Sequence, residues 1–261
     1  MKVALVGDGF TDLYVEGSVE RLSPEAPVPL LDVESKRTVL GGVLNVAQNL
    51  LGLGIVPTVF TITDLEADFP IVSPSNVVPL VKTRFATEFH QLLRVDEPKV
   101  YRQEDVDRMV YPSFSDFDII AFIDYCKGTV KGGKATIVDT KKKDLSVFKG
   151  SQILKVNQRE WEGVEDIGVF PEAYVTMGKR GIAYYQKGQE LTREENTARE
   201  VIDVTGAGDT VMAVLIYCIV NGIDSPIERM TLANKAAGYV VSKFGTAAIT
   251  SEILLSLNNG H

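Results

Sequence analysis

The chain has 261 residues, a formal net charge of −8, 45% hydrophobic residues and 24% charged residues. This is an ordinary soluble globular composition; its acidic balance argues against a dedicated nucleic-acid or anionic-membrane surface, and no stretch is apolar for long enough to span a bilayer. With two cysteines and two histidines, no cluster has zinc spacing and a histidine-based triad is poorly supported.

The opening Met1-Lys2-Val3-Ala4-Leu5-Val6-Gly7-Asp8 meets glycine and aspartate too early for a secretory leader. Cys126 and Cys218 lie in or beside apolar runs, which predicts two buried free thiols and fits a reducing cytoplasm. Residues 3–6 form a short apolar strand ending in Gly7-Asp8-Gly9-Phe10-Thr11-Asp12. A dinucleotide fingerprint needs a third glycine where Asp12 stands, and a carboxylate there would oppose a pyrophosphate. Asp8 and Asp12 instead fall at the carboxyl end of the first strand, where open α/β sheets bind ligands. Carboxylates there suit sugar hydroxyls, the alternative being a solvated Asx-turn.

Three prolines within residues 24–29 forbid a helix and disfavour a central strand. Residues 14–34 are expected to form two short strands around a rigid turn, in a flap. After Gly41-Gly42, apolar residues at 43, 46, 47, 50 and 51 have helical spacing, ended by Gly52 and Gly54. Asn45 lies in the first turn, as a cap, a surface residue or a ligand.

Residues 57–63 and 76–81 read as strands, and residues 82–85 and 91–96 as a hairpin carrying Lys82, Arg84 and Arg94. That charge is enough to hold a substrate anion, or is a solvated strand face. Residues 118–124 have the unbroken apolar run of a buried parallel strand. Between 127 and 149 stand seven lysines, but without interleaved aromatics they describe a loop face near a phosphate site rather than an RNA surface. Strand 152–156 leads into Asn157-Gln158-Arg159-Glu160, where Asn157 and Glu160 share one face of a starting helix. They form either a capping box or a pair above a polyphosphate, with Glu160 holding magnesium through water. Residues 173–177 and 182–186 are further strands.

Asp203-Val204-Thr205-Gly206-Ala207-Gly208-Asp209-Thr210 then opens into the apolar run 211–220. If that run is a helix, its first amides lack partners and point outward with the positive end of the macrodipole, ready for a phosphate. Asp209 would repel that phosphate, and makes sense beside a hydroxyl that must lose a proton. A capped helix after a glycine turn is the simpler alternative. Helices from 226 to 243 and from 251 close the chain. Strands alternating with helices, with neither repeat nor linker, predict one doubly wound α/β unit over residues 1–261.

Four of these patterns occur in the order found in the ribokinase-like (PfkB) carbohydrate kinases, which the chain resembles. They are Gly41-Gly42-Val43-Leu44-Asn45-Val46-Ala47, Asn157-x-x-Glu160, Thr176-x-Gly178-x-x-Gly181, and the run from Asp203 to Thr210. A narrower resemblance, to the kinase part of bacterial heptose-7-phosphate kinases, rests on Arg21-Leu22-Ser23-Pro24-Glu25-Ala26-Pro27-Val28-Pro29, Gln91-Leu92-Leu93-Arg94-Val95-Asp96, Val138-Asp139-Thr140-Lys141 and Lys243-Phe244-Gly245-Thr246-Ala247. The usual Gly-x-x-Gly-x-Asp-x-x-Gly segment is replaced by residues 62–70. The cytidylyl/adenylyltransferase domain fused to some of these kinases is expected to be absent.

The resemblance implies a mostly parallel doubly wound sheet flanked by helices, with a β-flap lid made by strands near 14–34 and 82–96. It implies ATP and Mg²⁺, with K⁺ as in some relatives. Asp209 is then the base, and Gly206, Ala207 and Gly208 form the anion hole. The helix end is expected to lower the Asp209 pKa. Asp12, Gly42 and Asn45 would hold sugar hydroxyls, with Arg84 and Arg94 for a substrate anion. Asn157, Thr176, Gly178, Gly181 and Asn234 would line the nucleotide, Glu160 would serve magnesium, and Asp203 with Thr205 a monovalent cation. The implied acceptor is D-glycero-D-manno-heptose 7-phosphate at its C1 hydroxyl. Fructose, ribose or another sugar phosphate, or a binding protein without catalysis, stay open. A cytoplasmic homodimer joined through its flaps, with no nucleic-acid or membrane partner, completes the expectation.

Overall fold

A computed structural model describes every residue of the chain except 89, 114, 165–166, 197, 199–200, 202–203, 244–247 and 260–261. The first strand, β1 (Val3–Gly7), is buried at every position and runs parallel to two neighbours. After Asp8 the chain leaves the sheet into β2 (Gly9–Ser18) and returns along β3 (Asp32–Gly42). The proline-rich stretch between them holds only a lone bridge between Leu22 and Pro29. The flap strands are thus longer than expected, starting at residue 9 and ending at 42 instead of spanning 14–34. Prolines confine the irregular backbone to the tip, and the alternating residues on either side pair freely.

Helix α1 (Val43–Gly52) follows without a linker and buries the apolar stripe read from its spacing. Then come β4 (Thr58–Phe60) and β5 (Ile71–Val72), parallel and adjacent, with no helix in the ten-residue connection 61–70. Strands β6 (Leu80–Ala86) and β7 (Gln91–Glu97) form the hairpin. The separate strand expected at 76–81 is instead the approach to β6, because residues 76–79 pair with nothing in either sheet.

A short α2 (Gln103–Asp107) precedes β8 (Ile119–Asp124), buried throughout as its apolar run requires. Next are β9 (Ile137–Thr140), β10 (Ile153–Asn157), the one-turn α3 (Gln158–Glu162), β11 (Glu172–Thr176), β12 (Ile182–Gln186) and β13 (Gln189–Glu194). The last two are antiparallel additions, β13 having gone unread for want of apolar residues. Helices α4 (Ala207–Val220), α5 (Pro226–Val241) and α6 (Ser251–Asn259) follow.

The main sheet has nine strands in the order β13-β12-β11-β10-β9-β8-β1-β4-β5, and the second has four, β3-β2-β6-β7. This is the ribokinase-like α/β architecture expected. One core lies under α1, α4 and α5 and joins Leu44, Leu50, Met212 and Ala233 to the sheet. The opposite face is covered by Phe148, Phe170, Leu145 and Tyr101. Cys218 is buried in the first core, but Cys126 is exposed, which corrects the expectation of two buried thiols: it sits past the strand end, in a loop with φ 57°. Among the described residues no helix is long and apolar enough to cross a membrane.

Gly181 closes the turn between β11 and β12 at φ 75°, and a Cβ there would overlap the Glu194 carbonyl. Gly181→Ala should lower stability by about 2–3 kcal/mol, since strained backbone and steric overlap add. An unchanged urea midpoint would show that the β12–β13 hairpin yields freely.

Candidate active site

Strands β1, β8, β9, β10 and β11 are parallel neighbours, so their carboxyl ends share one edge of the sheet. There the chain places Asp8, Tyr125, Lys141, Asn157 and Gly178 in turn. Sequence reversal of strand order at β1, with β8 on one side and β4 on the other, opens the crevice where ligands bind in such sheets.

Helix α4 aims its N-terminus at this edge. Its cap, Gly206, has a left-handed φ of 79° and no capping side chain, which leaves the first turn uncovered. The Ala207 amide leans on the Val204 carbonyl at 3.4 Å, while those of Gly208 and Asp209 have no acceptor within the helix. Asp209 is buried, 6% exposed. Its Oδ2 accepts from Asn45 Nδ2 at 2.7 Å and its Oδ1 from the Tyr125 hydroxyl at 2.8 Å. Burial pushes its carboxyl above the usual range, against the Asn45 and Tyr125 hydrogen bonds and the charge of Lys155. The expected lowering by the helix end is thereby overturned: desolvation of a fully enclosed carboxylate outweighs the dipole. A raised pKa makes Asp209 a better proton acceptor.

Beneath the glycines lies an ion pair that sequence reasoning missed. Lys155 Nζ donates to Asp139 Oδ2 at 2.6 Å, the two residues standing opposite each other on β10 and β9. Lys155 is buried, and a Cβ on Gly208 would come within 3.0 Å of its ammonium. A lysine inside the apolar strand 153–157 was the available signal, because such a charge is almost never buried unpaired.

These groups border a cavity of about 490 Å³. Asn157, Glu160, Thr176, Gly178, Gly181 and Asn234 all line it, with Ala207 and Gly208 at its inner end. The sequence-predicted nucleotide set is therefore brought together. Asn157 and Glu160 also form the capping box, Glu160 N donating to Asn157 Oδ1 at 3.0 Å and Asn157 N to Glu160 Oε2 at 2.8 Å. The capping-box alternative is thus present; it uses one Glu160 oxygen, and the residue still faces the cavity. Asn234 holds the chain after β13 through the carbonyls of Glu194 and Glu195.

The second sheet carries Asp12, Gly42 and Arg84, and Asn45 follows Gly42 in the first turn of α1. Asp12 is ion-paired with Arg84 at 2.8 Å, and Arg84 also binds Gln91 at 3.1 Å. Arg94 turns instead to Asp96 at 2.8 Å. Gly42 caps α1 at the end of β3. Asp8 is no sugar ligand: it is fully buried and accepts from the amides of Tyr125, Lys127 and Thr129 and from the Thr129 hydroxyl. Asp203 and residues 244–247 lie outside the described residues, and Thr205 sits in the turn before Gly206. Among the described residues no group of three or more His, Cys, Asp or Glu could hold a metal. Mg²⁺ needs no such cage when it arrives on phosphates with its waters, and the cavity-facing Glu160 suits it.

Residues 134–253 match the family profile described as pfkB family carbohydrate kinase. The bifunctional protein HldE of Caulobacter sp. is 33% identical over 309 aligned positions, covering 99% of this chain and 63% of that protein. HldE of Pseudomonas syringae pv. syringae is 31% identical, covering 95% of this chain and 62% of its own length. The chain thus spans less than two thirds of these relatives. In fold it is similar to Arabidopsis thaliana ribokinase complexed with ribose and ATP (TM-score 0.71, 16% identity, 100% and 99% of the two chains). It is similar also to Escherichia coli phosphofructokinase-2 (TM-score 0.71, 14% identity, 98% and 97%).

Tyr125→Phe removes one of the two donors that favour the Asp209 carboxylate, so the group should titrate at higher pH. The ionised base is lost as pH falls through that value, and the acid limb of kcat/KM should move upward. A limb that stays in place would mean that the Tyr125 hydrogen bond does not tune the base.

Proposed function

We propose that the chain transfers the terminal phosphoryl group of ATP to a sugar hydroxyl, a reading supported by the match of residues 134–253 to the pfkB family carbohydrate kinase profile and by the 33% identity to HldE. The carrying observation is Asp209, buried in the first turn of α4 and hydrogen-bonded to Asn45 and to Tyr125, which lines the cavity. Phosphoryl transfer rests on positioning and electrostatic stabilisation more than on covalent chemistry. Asp209 takes the hydroxyl proton. The amides of Gly208 and Asp209, with Gly206 and Ala207 shaping the turn, receive the charge that builds up on the phosphoryl oxygens. Asn157, Thr176, Gly178, Gly181 and Asn234 align the nucleotide along the cavity.

Glu160 would hold Mg²⁺ through water, the ion screening the phosphate charges when bound. Thr205, with Asp203, is the candidate for K⁺. Asp12, Gly42, Asn45 and Arg84 face the sugar, with Arg94 at the rim, and the second sheet acts as the lid that keeps water out. The acceptor we propose is D-glycero-D-manno-heptose 7-phosphate at C1, supported by the likeness to the HldE proteins over nearly the whole chain. The setting would be cytoplasmic, with a homodimer formed along the lid.

A panel of free and phosphorylated sugars with Mg·ATP tests this. Heptose 7-phosphate should be the preferred acceptor, and Asp209→Asn should lower kcat by about 10³-fold or more, the scale for losing a general base that also orients its substrate. Preference for fructose or ribose would overturn the choice of acceptor. Equal rates for native and Asp209→Asn protein would overturn the mechanism.

A further inference from the structure

The basic side chains of the lid do not share one fate. Arg84 is held by Asp12 and Gln91, and Arg94 by Asp96, so both guanidinium groups are already engaged. Lys82, two residues before Arg84 on β6, forms no ion pair among the described residues and rests on aromatic faces. Its Nζ stands 3.0 Å from the centroid of Phe10 and 5.6 Å from that of Tyr125. Phe10 and Tyr125 meet edge to face at 5.4 Å. On the Tyr125 ring, 4.3 Å from its centroid, lies the ammonium of Lys141. Lys127, whose Nζ donates to the Lys99 carbonyl at 2.7 Å, is near enough for its charge to act on Lys82.

Burial brings Lys82 down to about 8, the charges of Lys141 and Lys127 pushing the same way and those of Asp12 and Asp96 opposing them. Asp12 and Asp96 act on Lys82 more strongly than the two other lysines do, but neither forms an ion pair with it, so a further anion between Lys82 and Lys141 would meet two ammonium groups that share the Tyr125 ring. The Tyr125 hydroxyl reaches Asp209 at 2.8 Å, so the breadth of one phenol ring separates this charge from the carboxylate that meets the acceptor hydroxyl. Lys141 also borders the nucleotide cavity, but Lys82 and Lys127 do not. The anion they await therefore belongs to the acceptor and not to ATP. Ammonium groups serve phosphate as point charges, and several of them suit its double charge better than a single carboxylate.

We propose that Lys82, Lys141 and Lys127 form a subsite for a phosphomonoester already present on the acceptor, at the end remote from the hydroxyl facing Asp209. This rests on the sugar-kinase reading above and adds the group by which the enzyme separates phosphorylated from free sugars. It also moves that task from Arg84 and Arg94 to Lys82.

The test uses the full chain with heptose 7-phosphate, unphosphorylated heptose and inorganic phosphate. Lys82→Met should raise KM for heptose 7-phosphate roughly ten- to hundredfold, the scale for one lost charge-assisted hydrogen bond, and leave KM for ATP unchanged. Lys127→Met, at a less enclosed position, should raise it in the same direction and serves if Lys82→Met does not fold. Inorganic phosphate should compete with the sugar phosphate but not with ATP. In the native enzyme kcat/KM should fall as pH rises through about 8, where Lys82 loses its proton. Lys82→Arg should keep activity and lose that limb, because arginine does not titrate there. An unchanged KM in Lys82→Met, or a limb near 8 retained in Lys82→Arg, overturns the subsite alone. Equal use of free and phosphorylated heptose by the native enzyme also overturns it and leaves the kinase reading standing. Absence of transfer to every sugar overturns both.

Discussion

The site is built around one enclosed carboxylate. Asp209 stands at the start of α4 with both oxygens engaged, one by Asn45 from α1 and the other by Tyr125 from the loop after β8. A buried charge is costly unless hydrogen-bonded, so this pairing draws three separate stretches of chain to one point. Asn45 is itself steadied by Asn49, whose Nδ2 donates to its backbone oxygen and side-chain oxygen at 2.8 and 3.3 Å. Asn49 also accepts the Ile249 amide at 3.0 Å. The polar line therefore runs from the carboxylate through α1 to the approach of α6, inside an otherwise apolar core.

A second enclosed pair, Lys155 and Asp139, supports the same point from below. Its geometry explains why residue 208 is glycine: the lysine ammonium stands where a side chain would begin. Backbone amides above and an ammonium below give the helix end positive potential from two directions. Asp139 meanwhile keeps that ammonium from lying unpaired. Removing one member would leave a lone buried charge, the situation in which such pairs matter most.

Much of this was legible in the sequence, for identifiable reasons. The apolar runs of β1 and β8, the stripe of α1 and the glycine turn before α4 are local signals, and each element formed where its pattern indicated. The cavity-lining residues Asn157, Thr176 and Gly178 were anticipated through the motifs they share with the carbohydrate kinases. What escaped depends on pairing across the sheet. Asp139 and Lys155 are sixteen residues apart, and only strand register makes them partners. Tyr125 carries no motif, although its place after a fully buried strand was a hint. Arg84 was read as free charge because its partner, Asp12, is seventy-two residues away. The flap was read as short since prolines in its tip hide the pairing on either side, and the sign of the Asp209 shift could not be foreseen without knowing how completely it is enclosed.

Asp8 links the two sheets in a way that constrains their relative movement. It is the single residue between β1 and β2, so the chain passes directly from an inner strand of one sheet into an inner strand of the other. Its carboxylate is fastened to the amides of residues 125, 127 and 129. This junction is fastened to the loop that carries Tyr125. The same short loop thus anchors the junction of the two sheets and holds the side chain that steadies Asp209.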